Sequence, residues 1–460
     1  MGADIDASPA ARARSLQRLE ISPAVVLFAV ALPVLFLHAA FQPTVDSTIG
    51  STRVATRLSD IAVVVIGIAA ALAAHRDGVA PLRHGRLVWI TAGLFLVWIF
   101  AASLYPVAIS DEYPWRTHLV TAVKYAEYAL IALAVPLVLR TLRDVYVVVW
   151  SLIAVSAAAS AVAVLQFFGI DIFLAWPPGG RQPGFVGIDD LGMLSGGAYA
   201  VALGIVAVAP HTRPLRALGW AAGAAGAVGL VVAGALAAVL GALLAALVAF
   251  AVARRFALLD LRRALLLGGM ALVVLVGAVF MRSSALTSFA RFAGLGHQEN
   301  GRGVESYSHR WVLDYVGLKI FLDHPVLGAG WQSGYDEFAY RPVLADAHRR
   351  FPSQPEQAFP APEHPWGIQS AYVEVLAELG VVGAALFVAW IAAGFWTAFA
   401  TIRRARAPAS QTFLGLLWLC VVLGVWNGLW FIGGIPFDAL IWLAFGFAAA
   451  PPLVLAGARR

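Results

Sequence analysis

The chain has 460 residues, of which 61% are apolar and 13% are charged, and its mean hydropathy is +0.81. Soluble proteins average about 45–50% apolar and about 25% charged residues, so this composition excludes a soluble protein, while the long unbroken apolar runs exclude disorder, a coiled coil and an outer-membrane barrel. The net charge of +6 is a poor indication of nucleic-acid binding, because basic residues in membrane proteins primarily report topology.

Twelve apolar runs, each long enough to cross a bilayer, predict an all-α polytopic membrane protein with about twelve transmembrane helices. The first run follows several arginines but ends without a small-residue cleavage site, so we expect it to remain as an anchor. The single cysteine, Cys420, lies in an apolar run, which excludes a disulfide framework and a cysteine-based metal site. The predicted spans are 22–41, 59–75, 87–106, 118–139, 144–168, 190–210, 216–232, 235–253, 264–281, 376–399, 412–431 and 435–457.

The distribution of arginine predicts the orientation of these spans. If the N-terminus lies in the cytoplasm, every cytoplasmic segment is basic and together they hold 19 of the 32 Lys and Arg residues, so 32 − 19 leaves 13 facing outward. Both termini are therefore predicted to be cytoplasmic. The Gly- and Ala-rich stretch 216–253 is compatible with one long tilted helix or a hairpin of two spans, and the basic block at 254–263 favours the hairpin.

The stretch 282–375 is the largest departure from a plain helical bundle. It is polar and too long for a simple connector, and the predicted topology places it on the outer face, where a loop of this length usually carries function. Apolar residues at helical spacing predict an amphipathic helix over 305–322, which ends at His324-Pro325. We therefore divide the chain into spans one to nine (1–281), a large periplasmic loop (282–375) and spans ten to twelve (376–460).

Charges within or beside the predicted spans are candidates for function, because burying each in a bilayer is costly. Lys124 and Glu127 are three residues apart in one span and can pair on one helix face, as a structural ion pair or as part of a site. Outer arginines suit bidentate binding of phosphate or pyrophosphate, although any one of them can instead contact lipid headgroups. These arginines are Arg53, Arg57, Arg116, Arg181 and Arg310.

Three motifs resemble those of the O-antigen ligase and polymerase superfamily. The first is GRQPGFVG at 180–187, an arginine in a glycine- and proline-rich loop that opens a span. The second is Arg310-Trp311 followed by FLDHPVLGAGW at 321–331, and the third is QSAYVEVLAELGVVG at 369–383. Each motif alone is weak, but the set covers the chain from about 120 to 400.

This resemblance implies a GT-C-like glycosyltransferase at the outer face of the bacterial inner membrane. Members of the family transfer a glycan from undecaprenyl pyrophosphate to an acceptor hydroxyl, on lipid A-core for ligases or on another lipid-linked glycan for polymerases. The ligases need no nucleotide sugar, metal or other cofactor. By this resemblance, Arg181 and Arg310 stabilise the charge that develops on the pyrophosphate, with Arg116 or Lys124 as further substrate-binding groups.

The chain departs from the ligase pattern at two places. Gln369 stands at the position of the family histidine, and a glutamine cannot act as a general base, although it can bind an acceptor hydroxyl. His364 is then a candidate base, and the carboxylates of Glu374 and Glu378 are alternatives. The residues AGAL at 233–236 replace a serine-arginine pair, so we expect one cation fewer in the site.

Two other functions remain open at this point. The departures make a polymerase of the same superfamily a competitor to a ligase. A transporter or flippase for lipid-linked glycans would place polar residues at mid-membrane depth and use facing broken helices, whereas the polar residues here crowd the outer half.

Overall fold

The computed structural model describes residues 21–49, 52–108, 110–208, 212–293, 295, 306–405, 410–428 and 438–453. These residues form a helical bundle with one two-stranded β-hairpin. The helices are Pro23–Val34 (α1), Leu58–Asp77 (α2), Arg86–Ala102 (α3), Trp115–Val138 (α4), Leu142–Phe167 (α5), Ile188–Val208 (α6), Arg213–Ala233 (α7), Leu236–Arg255 (α8), Leu261–Met281 (α9), Ser283–Phe292 (α10), Ser306–Asp323 (α11), Glu337–Arg350 (α12), Ala371–Arg404 (α13), Ser410–Val425 (α14) and Asp438–Ala449 (α15).

The prediction of an all-α polytopic membrane protein is confirmed. Within the described ranges, nine helices are long and apolar enough to cross a membrane, namely α2 to α9 and α13. The other three predicted spans coincide with shorter apolar helices, α1, α14 and α15. Helix α1 ends at Val34, well before the predicted end at residue 41, and a short 3₁₀ turn follows at Ala39–Phe41.

A β-hairpin between α1 and α2 was not predicted. Strands Thr44–Ile49 (β1) and Thr52–Arg57 (β2) pair antiparallel, with Thr44 opposite Arg57. β-Branched residues recur in both strands around the Gly50-Ser51 dipeptide, which is the sequence signal for a hairpin. The apolar spans on either side are the stronger sequence signal, and for this reason the hairpin between them was not predicted.

The stretch 216–253 forms two helices, as the basic block after it indicated. Helix α7 ends at Ala233, and Gly234 follows in the left-handed conformation with φ of 55°. Its backbone N–H donates to the carbonyls of Leu230 and Val231, which closes the last turn of the helix. Helix α8 begins two residues later, at Leu236.

The described residues of the loop 282–375 form three helices, α10, α11 and α12. The predicted amphipathic helix is present as α11, and its buried stripe consists of Val312, Val316 and Ile320. Trp311 and Leu318, which also recur at helical spacing in this segment, are exposed. Helices α10 and α12 were not predicted. α12 packs on α11, and together with Ala377 of α13 they form a second, smaller hydrophobic core.

A broken helix joins this loop to the bundle. Gly380 interrupts α13 with a φ of 64°, and the freed backbone groups bond to the turn at 325–330. The N–H of Val381 donates to the carbonyl of Pro325 at 2.9 Å, and the N–H of Gly330 donates to the carbonyl of Glu378 at 2.9 Å. Interrupted backbone at membrane depth is tolerated where other protein segments satisfy it, so the glycine-rich turn serves the fold here.

Candidate functional site

Three arginines from separate parts of the chain line one pocket. Arg181 lies in the connection before α6, Arg282 directly follows α9, and Arg310 lies in α11. The pocket is narrow, with a cavity volume of about 20 Å³. Three guanidinium groups against one carboxylate give the pocket a net positive charge. Its remaining lining residues are Asp189, Gly234, Ala235, Leu236, Ala237, Ala238, Val425 and Gly428.

Arg181 is held in place by contacts on several sides. Its Nε donates to the carbonyl of Ala233 at 2.8 Å, and one terminal nitrogen lies 3.7 Å from the carboxylate of Asp189. The guanidinium carbon lies 5.8 Å from the ring centre of Trp176, a cation–π contact. The side chain of Arg181 is only 14% exposed, so its charge is shielded from bulk water and acts more strongly on a nearby anion.

Gly234 provides the space in which Arg181 and Arg282 converge. A Cβ atom at this position would lie 3.0 Å from Cγ of Arg181 and 3.3 Å from Cδ of Arg282. Arg282 is buried. It is a site residue that the sequence analysis missed, because it stands at the boundary between a predicted span and the large loop. Arg282 brings a third guanidinium beside residues 233–236, where the sequence predicted one cation fewer.

The N-terminus of α8 forms one wall of the pocket. Ala235 precedes the helix and provides no side-chain cap, and the first turn contains no acidic residue. The N–H groups of the first turn have no acceptor within the helix, and the helix dipole places partial positive charge at this end. Residues 235–238, which include this first turn, line the pocket. The helix end therefore adds its partial positive charge to that of the three guanidinium groups and favours binding of an anion.

Arg310 connects the pocket to the segment that precedes α13. Its Nε donates to Oε1 of Gln369 at 3.1 Å. At the other end of the guanidinium, a Cβ on Gly428 would lie 2.6 Å from Nη1 and 2.8 Å from the methyl group of Ala237. The structure thus brings together Arg181, Arg310 and Gln369 of the predicted site residues, with Gln369 beside the pocket as a hydrogen-bond partner of Arg310.

Two titratable residues near Arg310 were missed by the sequence analysis. His309 is buried, and burial, the charge of Arg310 and nearby His364 lower its pKa to about 4. Asp314 lies one turn after Arg310, and burial raises its pKa to about 6 although the Arg310 charge opposes the shift. The only sequence signal for either residue is its spacing from Arg310 on a predicted helix.

His364 lies in an aromatic cluster close to Arg310. The ring of Trp366 is 5.2 Å from that of His309 and 6.0 Å from that of His364. The backbone of His364 pairs with that of Ala361 in an isolated β-bridge, which fixes the chain before Gln369. His364 is partly exposed and lies outside the lining of the arginine pocket.

The two glutamates of α13 are buried against the large loop. Glu378 accepts the N–H of Gln332 at 2.8 Å and that of Gly334 at 3.1 Å, so its carboxylate anchors the loop to the span. Glu374 lies one turn earlier and is 1% exposed. Burial, followed by the charges of Glu374 and Glu378, raises the pKa of the Tyr335 hydroxyl well above its usual value. The carboxylate of Glu378 therefore faces the segment around Tyr335.

Two predicted substrate-binding cations lie away from the pocket. Lys124 donates to the carbonyl of Ala55 at 2.6 Å and pairs with Asp60 of α2 at 3.0 Å. The predicted pairing with Glu127 is therefore wrong, and the ion pair joins two helices instead of two turns of one helix. Arg116 is exposed in the first turn of α4, with its guanidinium 5.3 Å from the Trp115 ring. Neither cation lines the arginine pocket.

Across the parts of the chain that the structure describes, no group of three or more His, Cys, Asp or Glu residues is arranged to hold a metal ion. Residues 221–388 match the family model described as O-antigen ligase. This range contains Arg282, Arg310 and Gln369, whereas Arg181 lies before it. No curated protein matches the chain.

Proposed function

The chain belongs, through residues 221–388, to the O-antigen ligase and polymerase superfamily, and from this premise we propose that it transfers a glycan from undecaprenyl pyrophosphate to an acceptor hydroxyl. The observation that carries the proposal is the convergence of Arg181, Arg282 and Arg310 on the N-terminus of α8. The pyrophosphate of the donor would lie in this pocket. The site would face the periplasm from the bacterial inner membrane, with both termini in the cytoplasm.

In this mechanism the oxygen of the acceptor hydroxyl attacks the anomeric carbon of the donor sugar. The bond from that carbon to the pyrophosphate oxygen breaks on the opposite face, so the configuration inverts. Negative charge develops on the leaving pyrophosphate, and three preorganised guanidinium groups beside a helix N-terminus stabilise charge at that position. The chemistry needs no metal or other cofactor, because the pyrophosphate is already a good leaving group once its charge is stabilised.

The acceptor hydroxyl must also lose a proton. We assign this role to His364, because it is partly exposed and belongs to the cluster next to Arg310, and an imidazole is the common general base near neutral pH. Glu374 is the alternative, although its burial leaves less room for an acceptor. Gln369 would orient the acceptor through a hydrogen bond, since its Oε1 is already fixed by Arg310.

A polymerase is the second candidate, and the observation that favours it is Gln369 at the position of the ligase histidine. The two candidates differ in the acceptor, which is lipid A-core for a ligase and a second lipid-linked glycan for a polymerase. Both would use the same pocket for the donor pyrophosphate. The substrates of the protein would thus be a lipid-linked glycan and one of these acceptors, within the lipid bilayer.

The test uses the purified full chain in proteoliposomes with a lipid-linked glycan donor. We expect transfer to lipid A-core for a ligase, or longer lipid-linked chains from the donor alone for a polymerase. Arg310→Ala and Arg181→Ala should each abolish transfer, whereas Arg341→Ala, which removes an exposed arginine of α12, should not. Movement of the donor across the bilayer without a new glycosidic bond would instead indicate a transporter.

A second pair of variants distinguishes between the two candidate bases, His364 and Glu374. His364→Ala should reduce the rate of transfer without weakening donor binding, because the base acts on the acceptor. Glu374→Gln keeps the shape of its side chain and should leave the rate close to that of the unmodified protein. The opposite pattern would assign the proton transfer to Glu374.

A further inference from the structure

We infer that the connection between α5 and α6 carries a binding surface for the polyprenyl tail of the donor, an inference that rests on the proposed function. Five apolar side chains within residues 168–176 are exposed, each by 47% or more of its surface. They follow directly after α5, which is long and apolar enough to cross a membrane, so we expect them at the membrane interface. We call this surface the tail patch; it consists of Phe168, Ile170, Phe173, Leu174 and Trp176.

The tail patch is built on a fixed backbone. Gln166, which is 1% exposed, donates through Nε2 to the carbonyls of Ile172 at 2.8 Å and Gly184 at 3.0 Å. Gln182, which is fully buried, donates to the carbonyl of Pro177 at 3.0 Å and accepts the N–H of Trp176 at 3.0 Å. Two buried amides thus hold the connection from inside, so the apolar side chains are presented outward by a defined conformation.

Phe173 shows that this conformation is imposed by its surroundings. Its φ of 56° lies in the left-handed region, which residues with a bulky side chain rarely adopt. The ring packs against those of Phe41 at 5.0 Å and Phe185 at 6.0 Å, and these contacts hold the residue in place. A strained backbone conformation of this kind persists only where the contacts around it hold it in place. The conformation of Phe173 is therefore consistent with a preformed surface.

The tail patch is continuous with the arginine pocket. Trp176 belongs to the patch, and its ring lies 5.8 Å from the guanidinium carbon of Arg181, which lines the pocket. A polyprenyl pyrophosphate has an anionic head joined directly to a long apolar tail. With its head beside Arg181, the first part of its tail would reach Trp176, and the remaining patch residues extend the apolar surface from there.

An interfacial apolar loop can also act only as a membrane anchor, and the two roles predict different results. A tail-binding surface affects ligands in proportion to the length of their tails. An anchor affects the position of the whole protein in the bilayer, and it therefore changes the binding of long-tailed and short-tailed ligands alike.

The experiment measures binding of undecaprenyl pyrophosphate and of geranyl pyrophosphate, which carries the same head group on a much shorter tail, to the full chain in nanodiscs. The variant is Phe168→Ser/Leu174→Ser, which leaves Phe173 and both buried glutamines intact. The matched control is Leu104→Ser, whose 47% exposure equals that of Leu174. A third variant, Arg310→Ala, tests the head-group site independently.

We expect the double variant to bind undecaprenyl pyrophosphate at least tenfold more weakly and geranyl pyrophosphate within twofold of the unmodified protein. Leu104→Ser should change neither affinity. An unchanged affinity for the long-tailed ligand, or an equal loss for both ligands, would overturn the tail patch. If the unmodified protein binds neither ligand, or if Arg310→Ala leaves both affinities unchanged, the proposed donor site itself fails.

Discussion

Arg282→Gln tests the composition of the anion pocket most directly. The substitution removes one of three guanidinium groups but keeps the carbon chain as far as Cδ and a polar end group. The backbone N–H of residue 282 bonds to the carbonyls of Ala278 and Val279 in the last turn of α9, and glutamine preserves these bonds. The expected effect is therefore confined to the charge in the pocket.

The magnitude follows from the burial of Arg282, which is 7% exposed. Two unit charges about 4 Å apart interact by about 4 kcal/mol at an effective dielectric constant of about 20, which is an upper limit because the arginine must also be desolvated. A hydrogen bond to a charged group contributes about 1.5–3 kcal/mol net. Since about 1.4 kcal/mol corresponds to a tenfold change in affinity, we expect roughly ten- to a hundredfold weaker binding of undecaprenyl pyrophosphate.

The assay is equilibrium binding of undecaprenyl pyrophosphate to the purified chain at fixed ionic strength. Arg341→Gln is the matched control, because Arg341 is 58% exposed and pairs with Glu112 at the surface, where such pairs contribute little. It should leave the affinity within twofold. The reasoning is refuted if Arg282→Gln also stays within twofold while Arg310→Ala abolishes binding, because Arg282 would then have no part in the site.

Three further predictions concern stability. Gly328→Ala should lower the thermal midpoint clearly, because φ at this position is 82° and an added Cβ would collide with the backbone of α13. Gly93→Ala is the control and should not lower it, because there is open space around Gly93. Asp60→Asn should lower the thermal midpoint, because it leaves the half-buried Lys124 without its carboxylate partner. Binding of the donor should be retained. A loss of donor binding would contradict a purely structural role for this ion pair. Burial raises the pKa of Asp314 from 3.8 to about 6, so folding favours its protonated form and stability from this group is lost as pH rises between these values. Asp314→Asn should therefore be more stable than the unmodified protein at pH 7, with a smaller difference at pH 4; equal midpoints at both values would refute the shift.

The sequence could predict those features that depend on short segments. Each span is specified by its own apolar residues, because a bilayer requires about 20 of them in succession, and the amphipathic helix α11 follows from its spacing. Arg181 and Arg310 stand out because each lies in a motif. The stripe that α11 buries was predicted only in part, since Trp311 and Leu318 share its periodicity but face outward. Which apolar residues of a helix are covered depends on the neighbours that pack on them, here α12 and α13.

The long-range pairings could not be predicted from spacing. Lys124 has Glu127 three residues away in the chain, yet its carboxylate partner is Asp60, 64 residues away, because helices α2 and α4 are neighbours. The same limit applies to Glu378, which was a candidate base in the sequence and binds the backbone of the large loop in the structure. The function of such a carboxylate depends on the donors that the fold brings to it.

By itself, the sequence determined that this is a polytopic helical membrane protein with a large loop and with arginines suited to binding an anion. Only the tertiary structure decided which of those arginines share a site. Arg282 joins Arg181 and Arg310 because Gly234 leaves room for two of the side chains beside the N-terminus of α8, whereas Lys124 and Arg116 lie elsewhere. The physical reason is that electrostatic interaction depends on distance and burial in three dimensions, and neither quantity is encoded by proximity along the chain.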